Sequence, residues 1–401
     1  MKNVIPIGPF HPLQEEPENF LLTVDGETVV DIEVNIGYVH KGHEILCQNK
    51  TWDQIPFVVE RICGICSVTH TVCYCHAVED LANVEIPPRG QYIRTIIGEL
   101  ERVHSHLLWA GLAGHFIGYN TVFMWAWKYR EPVLDVIEKL TGGRNNTSAL
   151  RIGGVRRDLP EEYFEETLEV MDLVIEKTDM LLHAVVDDPV IHARLKGVGI
   201  LTKEDARRYC VVGPTARASG VDTDIRRDEP YGCYDKVDWK VILQEDGDVF
   251  AKAAVRLLEL IESAKIIKQA INDIPGGPWF VDVGDIPPGE GVGKYEAPRG
   301  EDIHYVRSDG SNMPVRHKIR APSYVNIPSF KASCIGESIS DVTITLAAVD
   351  PCYSCTERMI RVKNKKDDNI LTYTDLVRLS QEKTKKVAKK IGERSDLIIK
   401  I

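Results

Sequence analysis

The N-terminal part of the chain alternates apolar and polar side chains in the way that strands with one buried face do. Two alternating runs, at residues 20–24 and 28–34, flank the dipeptide formed by Asp25 and Gly26. An Asp-Gly dipeptide between alternating runs is a strong signal for a β-hairpin. The pattern therefore predicts a β-rich segment over residues 1–50.

Beyond residue 50 the apolar positions recur with the spacing of amphipathic helices. The predicted helices lie at residues 51–66, 70–84, 92–139, 161–182 and 246–273, and a further helix begins near residue 201. Residues 211–237 have no clean period, and a long irregular segment of this kind often lines a site. Residues 274–315 are rich in Gly and Pro, which predicts loops and short strands.

One apolar run resembles a membrane span, because residues 107–127 contain no Asp, Glu, Lys or Arg. The run includes His115, Tyr119 and Asn120, and it follows a charged segment without a break signal. We therefore expect one continuous helix, buried on all sides within a large protein, rather than a helix that crosses a bilayer.

Composition and charge narrow the class of protein. The 401 residues carry a formal net charge of −11, which argues against a general nucleic-acid binder because such proteins have a basic excess. The first residues, MKNVIPIGPFHP, lack the apolar stretch of a signal peptide. Ten cysteines are too few for a disulfide scaffold in a chain of this length, so we interpret them as thiols and ligands.

Two cysteine pairs with CxxC spacing dominate the candidate chemistry. Cys63 and Cys66 form the first pair, and Cys352 and Cys355 form the second, almost three hundred residues later. Four thiolates that converge from distant segments suit zinc, an iron–sulfur centre or another thiophilic transition metal. Structural zinc sites usually join nearby segments of small modules, so the long separation disfavours zinc without excluding it.

The strings around these pairs resemble the large subunit of nickel–iron hydrogenases. RICGIC is followed by His70, and the second pair lies in DPCYSCTER. HPLQEEP, GYVHKGHE, GELERVHSHLL, LTGGR and YEAPRGEDIHY stand in the order found in that family. The resemblance covers nearly the whole chain and is greatest to the membrane-associated, energy-converting group, which is related to formate hydrogenlyase and to the quinone-site subunit of respiratory complex I. The complex I relatives lack the four cysteines, which this chain keeps.

The resemblance implies a fold and a metal centre. The fold is mainly α, a bundle of long helices with a small N-terminal β-sheet, and the site lies between the bundle and the two cysteine segments. Cys63 and Cys352 would be terminal nickel ligands. Cys66 and Cys355 would bridge nickel to an iron that also holds carbon monoxide and cyanide.

The resemblance also implies polar residues around the metals. Arg299 would act as a polarising cation over the open metal position, and Ser323 would solvate cyanide by hydrogen bonding. Asp350 would interact with Arg299 without touching the metals, and it would thereby modify the electrostatics of the arginine and of the site.

Three further residues take roles by the same resemblance. Glu16 would accept the proton released when dihydrogen is split, although Glu15 and Glu18 stand close by in the sequence. His70 would form a hydrogen bond to a cysteine sulfur. Glu44 would belong to an outer metal site, such as one for magnesium.

The implied reaction is the reversible interconversion of dihydrogen with protons and electrons. The resemblance also implies that the subunit is peripheral within a membrane complex, at the cytoplasmic side of the cell membrane. The sequence has no further CxxC pair, so electrons would pass to an iron–sulfur small subunit and a ferredoxin-type subunit. Membrane subunits would translocate ions.

We expect residues 1–50 and 51–358 to form one integrated catalytic domain. Many members of the family lose a C-terminal extension after the residue three positions beyond the last cysteine, which is Arg358 here. Residues 359–401 would then be a maturation peptide removed by a protease, or a retained surface helix, since residues 380–394 are rich in Lys.

Alternatives remain at this point. A related reductase of the complex I superfamily would act on a sulfane sulfur or a quinone, and a scaffold would hold zinc with the four cysteines. The other six cysteines are interpreted as packing residues: Cys47, Cys73, Cys75, Cys210, Cys233 and Cys334. The dense charges of residues 222–229 predict a solvated loop.

Overall fold

The computed structural model describes residues 2–12, 14–357, 362 and 369–392. It contains two compact units, Met1–Arg358 and Met359–Ile401. The strands are β1 (Lys2–Ile7), β2 (Asn19–Asp25), β3 (Thr28–Asn35), β4 (Leu150–Arg151), β5 (Gly154–Val155), β6 (Gly289–Ala297), β7 (Gly300–Ser308) and β8 (Arg316–Arg320). The helices of the first unit are α1 (His43–Cys47), α2 (Ile55–Val59), α3 (Ser67–Ala82), α4 (Pro88–Phe116), α5 (Asn120–Thr141), α6 (Phe164–Val186), α7 (Pro189–Leu195), α8 (Lys203–Arg208), α9 (Gly213–Arg217), α10 (Ile225–Asp228), α11 (Val249–Asp273), α12 (Pro322–Asn326), α13 (Phe330–Cys334), α14 (Ile339–Ala348) and α15 (Tyr353–Thr356). The second unit contains α16 (Tyr373–Gly392).

The N-terminal sheet has the strand order β1-β2-β3 and is antiparallel throughout. The predicted hairpin is confirmed, with Asp25 paired to Thr28 across the turn. Phe20, Leu22 and Val24 alternate into a core that they share with Phe330 and Tyr353. This sheet therefore supports the segment that carries the second cysteine pair.

A bundle of long helices forms the main core, and the expected mainly α architecture is confirmed. Apolar side chains of α4, α5, α6 and α11 pack together, among them Leu100, Val133, Met171 and Leu260. At the end of α5, Gly142 adopts a φ of 87°, as a helix-terminating glycine does, and the helix predicted to extend to residue 139 ends at Thr141.

The prediction of one continuous helix over residues 92–139 is wrong, because α4 and α5 are separate. Gly118 has a φ of 85°, and the Tyr119 N–H donates to the Gly114 carbonyl at 2.7 Å, so the chain turns after Phe116. This 6→1 hydrogen bond with a left-handed glycine is a common way to end a helix. Within the described part of the chain, no helix combines the length and apolar character that a bilayer crossing requires.

The helix predicted over residues 51–66 is also shorter than expected. Only α2 is helical there, and the first cysteine pair lies in a turn that ends where α3 begins. The Cys63 sulfur accepts hydrogen bonds from the N–H groups of Ile65 at 3.3 Å and Cys66 at 3.4 Å. The turn thus directs its own backbone donors at the thiol.

A second antiparallel sheet has the strand order β6-β7-β8. Strands β6 and β7, nine residues each, lie within residues 274–315 and are longer than the short strands expected there. Helix α3 packs against this sheet at very short range. A Cβ atom at Gly291 would lie 2.0 Å from the carbonyl oxygen of Ala77, and one at Gly293 would lie 2.0 Å from that of Cys73. The glycines of this region therefore allow a strand to approach a helix backbone.

Two smaller expectations also need correction. Cys210 is exposed, whereas the other five additional cysteines are buried as expected. In the charged loop, Asp224 and Arg226 are buried, because Asp224 pairs with Arg226 and Arg217, and Arg226 reaches Glu99 on α4. Only the outer members of that loop are solvated.

Candidate metal centre

The four cysteine sulfurs of the two CxxC pairs meet at one buried place. The Sγ atom of Cys352 lies 3.5 Å from that of Cys63 and 2.9 Å from that of Cys355. The sulfurs of Cys63, Cys66 and Cys355 all lie within 4.8 Å of one another. A set of four convergent sulfurs suits a thiophilic transition metal, so the residues present fit a centre of this kind.

Each pair stands at the start of a helix. Cys66 immediately precedes α3, and Cys352 immediately precedes α15. Glu101 on α4 holds the first pair in place, since its carboxylate accepts hydrogen bonds from the N–H groups of Val68 at 2.6 Å and Thr69 at 2.9 Å. Long helix α4 thereby fixes the first turn of α3.

The protonation of the four sulfurs differs with their surroundings. Hydrogen bonds from the thiols of Cys352, Cys355 and Cys66 hold the pKa of Cys63 well below its usual range. Burial raises the pKa of Cys355 well above its usual range. The metal-free pocket therefore favours one thiolate among thiols, and a metal that needs several thiolates must displace protons.

Arg299 connects both cysteine segments. Its Nη2 lies 2.5 Å from Asp350 Oδ1, and its Nε donates to the Asp350 carbonyl at 2.8 Å. Its Nη1 lies 3.4 Å from the sulfur of Cys66 and 3.3 Å from Ser105 Oγ. Burial by itself would lower the pKa of Arg299. The Asp350 carboxylate and the cysteine sulfurs outweigh this effect and raise that pKa well above its usual range. The guanidinium is thus a fixed cation beside the sulfurs.

Ser323, at the start of α12, is in contact with the second pair. The backbone N–H of Cys352 donates to the Ser323 hydroxyl oxygen at 3.0 Å, and both groups are buried. Because that oxygen accepts one hydrogen bond, the hydroxyl hydrogen is still available to a neighbour.

Acidic residues from the N-terminal segment approach the same pair. The Ser354 N–H donates to the Glu16 carboxylate at 2.8 Å, and the Ser354 hydroxyl also contacts it. Glu15 keeps exposed surface, yet the surrounding protein raises its pKa to about 8, and the carboxylate of Asp350 adds to the increase. Of the two, Glu16 is the residue anchored between the cysteines of the second pair.

His70 faces the sulfur of Cys355 from α3. Its Nε2 lies 3.3 Å from Cys355 Sγ, and its Nδ1 lies 2.9 Å from Asp302 Oδ2. His304 contacts the same carboxylate oxygen at 3.3 Å. All four side chains are buried.

Glu44 lies apart from these groups and is neutralised by protein cations. Its carboxylate contacts Arg316 at 3.2 Å and Lys318 at 2.9 Å, and it accepts the Ile319 N–H at 3.2 Å. Two cations and a backbone donor satisfy the carboxylate, so the geometry gives no support to the outer metal site expected at Glu44. Arg358, the expected processing position, lies outside the described residues.

Sequence reasoning did not identify Glu101, Asp302, Ser105 or Ser354 as neighbours of the centre. A signal for Asp302 was present, because it follows Arg299 in the string EAPRGEDIHY. Glu101 and Ser105 lie one helical turn apart in GELERVHSHLL. The sequence alone does not indicate that the side of α4 with Glu101 and Ser105 faces the cysteine turn.

Comparisons with known proteins agree with this arrangement. Residues 41–110 match the family described as nickel-dependent hydrogenase. Residues 117–286 and 280–358 match the family described as the 49-kDa subunit of respiratory-chain NADH dehydrogenase. The two matches together extend over most of the chain.

Individual relatives include proteins that are named as hydrogenases. The chain is 41% identical to the membrane-bound hydrogenase subunit alpha of Pyrococcus furiosus, over 96% of this chain and 93% of the relative. It is 38% identical to the carbon monoxide-induced hydrogenase of Rhodospirillum rubrum, over 88% of this chain and 99% of the relative. In both cases the similarity extends over nearly the full length of the relative.

A solved structure shares the fold. A chain of the membrane-bound sulfane sulfur reductase, an archaeal respiratory membrane complex, superposes with a TM-score of 0.85 at 30% identity. The match covers 89% of this chain and 98% of that one. This chain therefore belongs to the family that unites the large subunits of nickel–iron hydrogenases with the 49-kDa subunit of respiratory complex I.

Proposed function

We propose that this protein is the catalytic subunit of a nickel–iron hydrogenase that interconverts dihydrogen with protons and electrons. The observation that carries the proposal is the convergence of four buried cysteine sulfurs from both ends of the first unit. Membership of a family of oxidoreductase subunits supports it, as does the match of residues 41–110 to nickel-dependent hydrogenases.

The four cysteines would hold the metals. In this proposal Cys63 and Cys352 are terminal ligands of nickel, and Cys66 and Cys355 bridge nickel to iron. When bound, the nickel–iron centre with its carbon monoxide and cyanide ligands supplies the redox chemistry of dihydrogen. The chain contributes soft sulfur ligands and a buried, shaped pocket.

Arg299 supplies fixed positive charge beside the sulfurs. Asp350 and its carbonyl hold the guanidinium in one orientation, so no reorganisation is needed when charge changes nearby. Ser323, whose oxygen already accepts the Cys352 N–H, directs its remaining hydroxyl hydrogen to a diatomic ligand such as cyanide.

Glu16 would move the proton. Its carboxylate is anchored to the N–H of Ser354, between the two cysteines of the second pair, and this contact supports a role for Glu16 as proton acceptor. Glu15 precedes Glu16 in the chain, and its pKa is raised to about 8 by burial and by the carboxylate of Asp350.

The complex around the chain is part of the proposal. The membrane-bound relatives belong to membrane complexes, and electrons would pass to an iron–sulfur small subunit and a ferredoxin-type subunit. Membrane subunits would translocate ions while this chain stays peripheral on the cytoplasmic side. A maturation protease would remove residues 359–401. The intact mass of the purified protein tests this step, because a mature chain that ends at Ile401 would refute processing.

A second candidate is a related reductase that acts on a sulfane sulfur or a quinone, and the name of the structural neighbour favours the sulfane sulfur. A zinc scaffold is the third. Metal analysis separates them, since nickel and iron in equal amounts support the hydrogenase and zinc alone supports the scaffold. Infrared bands of carbon monoxide and cyanide in the purified protein are the decisive measurement. Their absence from a sample with full metal content would refute the proposal.

A further inference from the structure

Three buried histidines form a row that begins at the second cysteine pair. His70 Nε2 lies 3.3 Å from Cys355 Sγ, and His70 Nδ1 lies 3.2 Å from His304 Nε2. His304 Nδ1 lies 3.0 Å from His317 Nε2. The carboxylate of Asp302 lies at the first junction of this row, in contact with both His70 and His304.

The secondary structure explains why these side chains meet. Asp302 and His304 are two positions apart on β7, so they point to the same face of the sheet. His317 on β8 pairs with Val306 and is a diagonal neighbour of His304 on that face. Helix α3 covers this face at the short range that Gly293 permits, and it brings His70 to Asp302.

The contacts of Asp302 with two histidines favour its charged form in spite of complete burial. Burial alone would raise the pKa of its carboxyl group, but His70 and His304 hold that pKa well below its usual range. Its Oδ2 contacts both rings, at 2.9 Å and 3.3 Å. The ring of His70 therefore cannot turn without losing its contact with the Asp302 carboxylate. That contact fixes which ring nitrogen of His70 faces the sulfur.

We propose that Asp302 is a positioning residue, which holds the ring of His70 with the N–H of Nδ1 at its own carboxylate and a second N–H, on Nε2, directed at the Cys355 sulfur. The inference rests on the proposed function, in which Cys355 is a thiolate that bridges two metals. Hydrogen bonds to a ligand sulfur withdraw electron density from the metal and shift its potential. Asp302 thus acts on the electronic state of the centre through His70.

The test uses infrared spectroscopy of the loaded protein with Asp302→Asn, a change that keeps the shape of the side chain. We expect nickel and iron contents equal to those of the wild type and a carbon monoxide band at lower wavenumber. The direction follows because a sulfur without its hydrogen bond leaves more electron density on iron, which weakens the C–O bond. Asp302→Glu keeps the charge and should restore part of the shift.

Two further variants separate positioning from a general disturbance of the fold. Tyr305→Phe changes the opposite face of β7 and should leave the band in place. His70→Asn should shift the band by itself, and Asp302→Asn added to it should cause no additional shift, since Asp302 acts only through His70.

Three outcomes would overturn the inference. The first is a wild-type band position in Asp302→Asn, and the second is additive shifts in the double variant. The third is a metal ion beyond nickel and iron that is present in the wild type and lost in Asp302→Asn, because His70, Asp302 and His304 would then be its ligands. A wild-type protein without any such infrared band would instead refute the hydrogenase function itself, and the inference with it.

Discussion

The carboxylate of Glu16 accepts a hydrogen bond of 2.8 Å from the backbone N–H of Ser354, a residue 338 positions later in the chain. Ser354 lies between the two cysteines of the second pair, so this contact ties an acidic residue of the N-terminal segment to the candidate metal centre. Nearby, the N–H groups of Gly37 and Val39 donate to Glu357 at 2.5 Å and 2.6 Å. The N-terminal segment therefore holds the second pair between its two cysteines and again two residues after Cys355.

Glu16→Gln should keep both metals and slow the exchange of hydrogen isotopes between dihydrogen and water by about 10²–10³-fold, the usual contribution of a positioned proton acceptor. Glutamine preserves the contact with Ser354 but cannot take up the proton. Mass spectrometry of the headspace gas measures the exchange directly.

Glu15→Gln is the matched control for this experiment. The carboxylate that accepts the Ser354 N–H is that of Glu16, whereas Glu15 keeps exposed surface. The exchange rate of Glu15→Gln should therefore fall by much less. An exchange rate in Glu16→Gln equal to that of the wild type would remove Glu16 from the proton route.

Cys355→Ser should abolish hydrogenase activity and lower the content of both metals, because a bridging thiolate would be lost from a set of four. The control is Cys210→Ser, an exposed cysteine outside the centre. Metal analysis and intact mass are measured on the same samples. We also expect Cys355→Ser to retain residues 359–401, and complete removal of the tail in this variant would argue against a link between metal insertion and processing.

The sequence predicted the centre better than the fold around it. The CxxC spacing and the strings that flank the two pairs were sufficient to expect that the four cysteines meet, although no local pattern measures a distance across almost three hundred residues. The hairpin at Asp25 and Gly26 and the stop at Gly142 were predictable because turn chemistry is local.

The failures share a physical cause, which is tertiary packing. Gly291 and Gly293 lie where only loops and short strands were expected, but they belong to a nine-residue strand and let β6 approach α3. Asp224 and Arg226 suggested solvent, but each finds a buried partner. Glu101 is one of two acids in α4, the other being Glu99, and only the position of the α3 N-terminus distinguishes it. In each case the partner that decides the role is distant in sequence.

The free energy of unfolding should fall as the pH rises from about 4.5 to 8, in part because of Glu18. Burial raises the pKa of Glu18 to about 8, and the nearby carboxylates of Glu357 and Glu16 add to the increase. Below pH 4.5 the Glu18 carboxyl group is protonated in both the folded and the unfolded chain. Between 4.5 and 8 the unfolded chain loses this proton while the folded chain retains it, which costs on the order of 5 kcal/mol at most.

Glu18→Gln should therefore flatten this part of the stability profile and raise stability at pH 8. Urea unfolding of the metal-free, reduced protein at several pH values measures it. Glu33→Gln, at an exposed position on β3, is the control and should leave the slope unchanged. A Glu18→Gln profile parallel to that of the wild type would contradict the assignment of a raised pKa to Glu18.

Gly293→Ala should destabilise the protein by roughly 2–4 kcal/mol, since the new methyl group meets backbone atoms that cannot move aside. Its Cβ would lie 2.0 Å from the Cys73 carbonyl oxygen and 2.5 Å from the Ala77 nitrogen. Relief of this clash has to push α3 away from the sheet, which also withdraws His70 from Asp302. Thermal unfolding and metal content are measured together, and both should decrease.

The control for this prediction is Gly276→Ala, where an added Cβ has no neighbour within 4 Å. Its unfolding temperature should stay within a few degrees of the wild type, because neither packing nor a left-handed backbone opposes the methyl group. Equal stability of the two alanine variants would mean that α3 tolerates a wider separation from β6. In that case the close approach of helix and sheet could not be what keeps His70 at the carboxylate of Asp302.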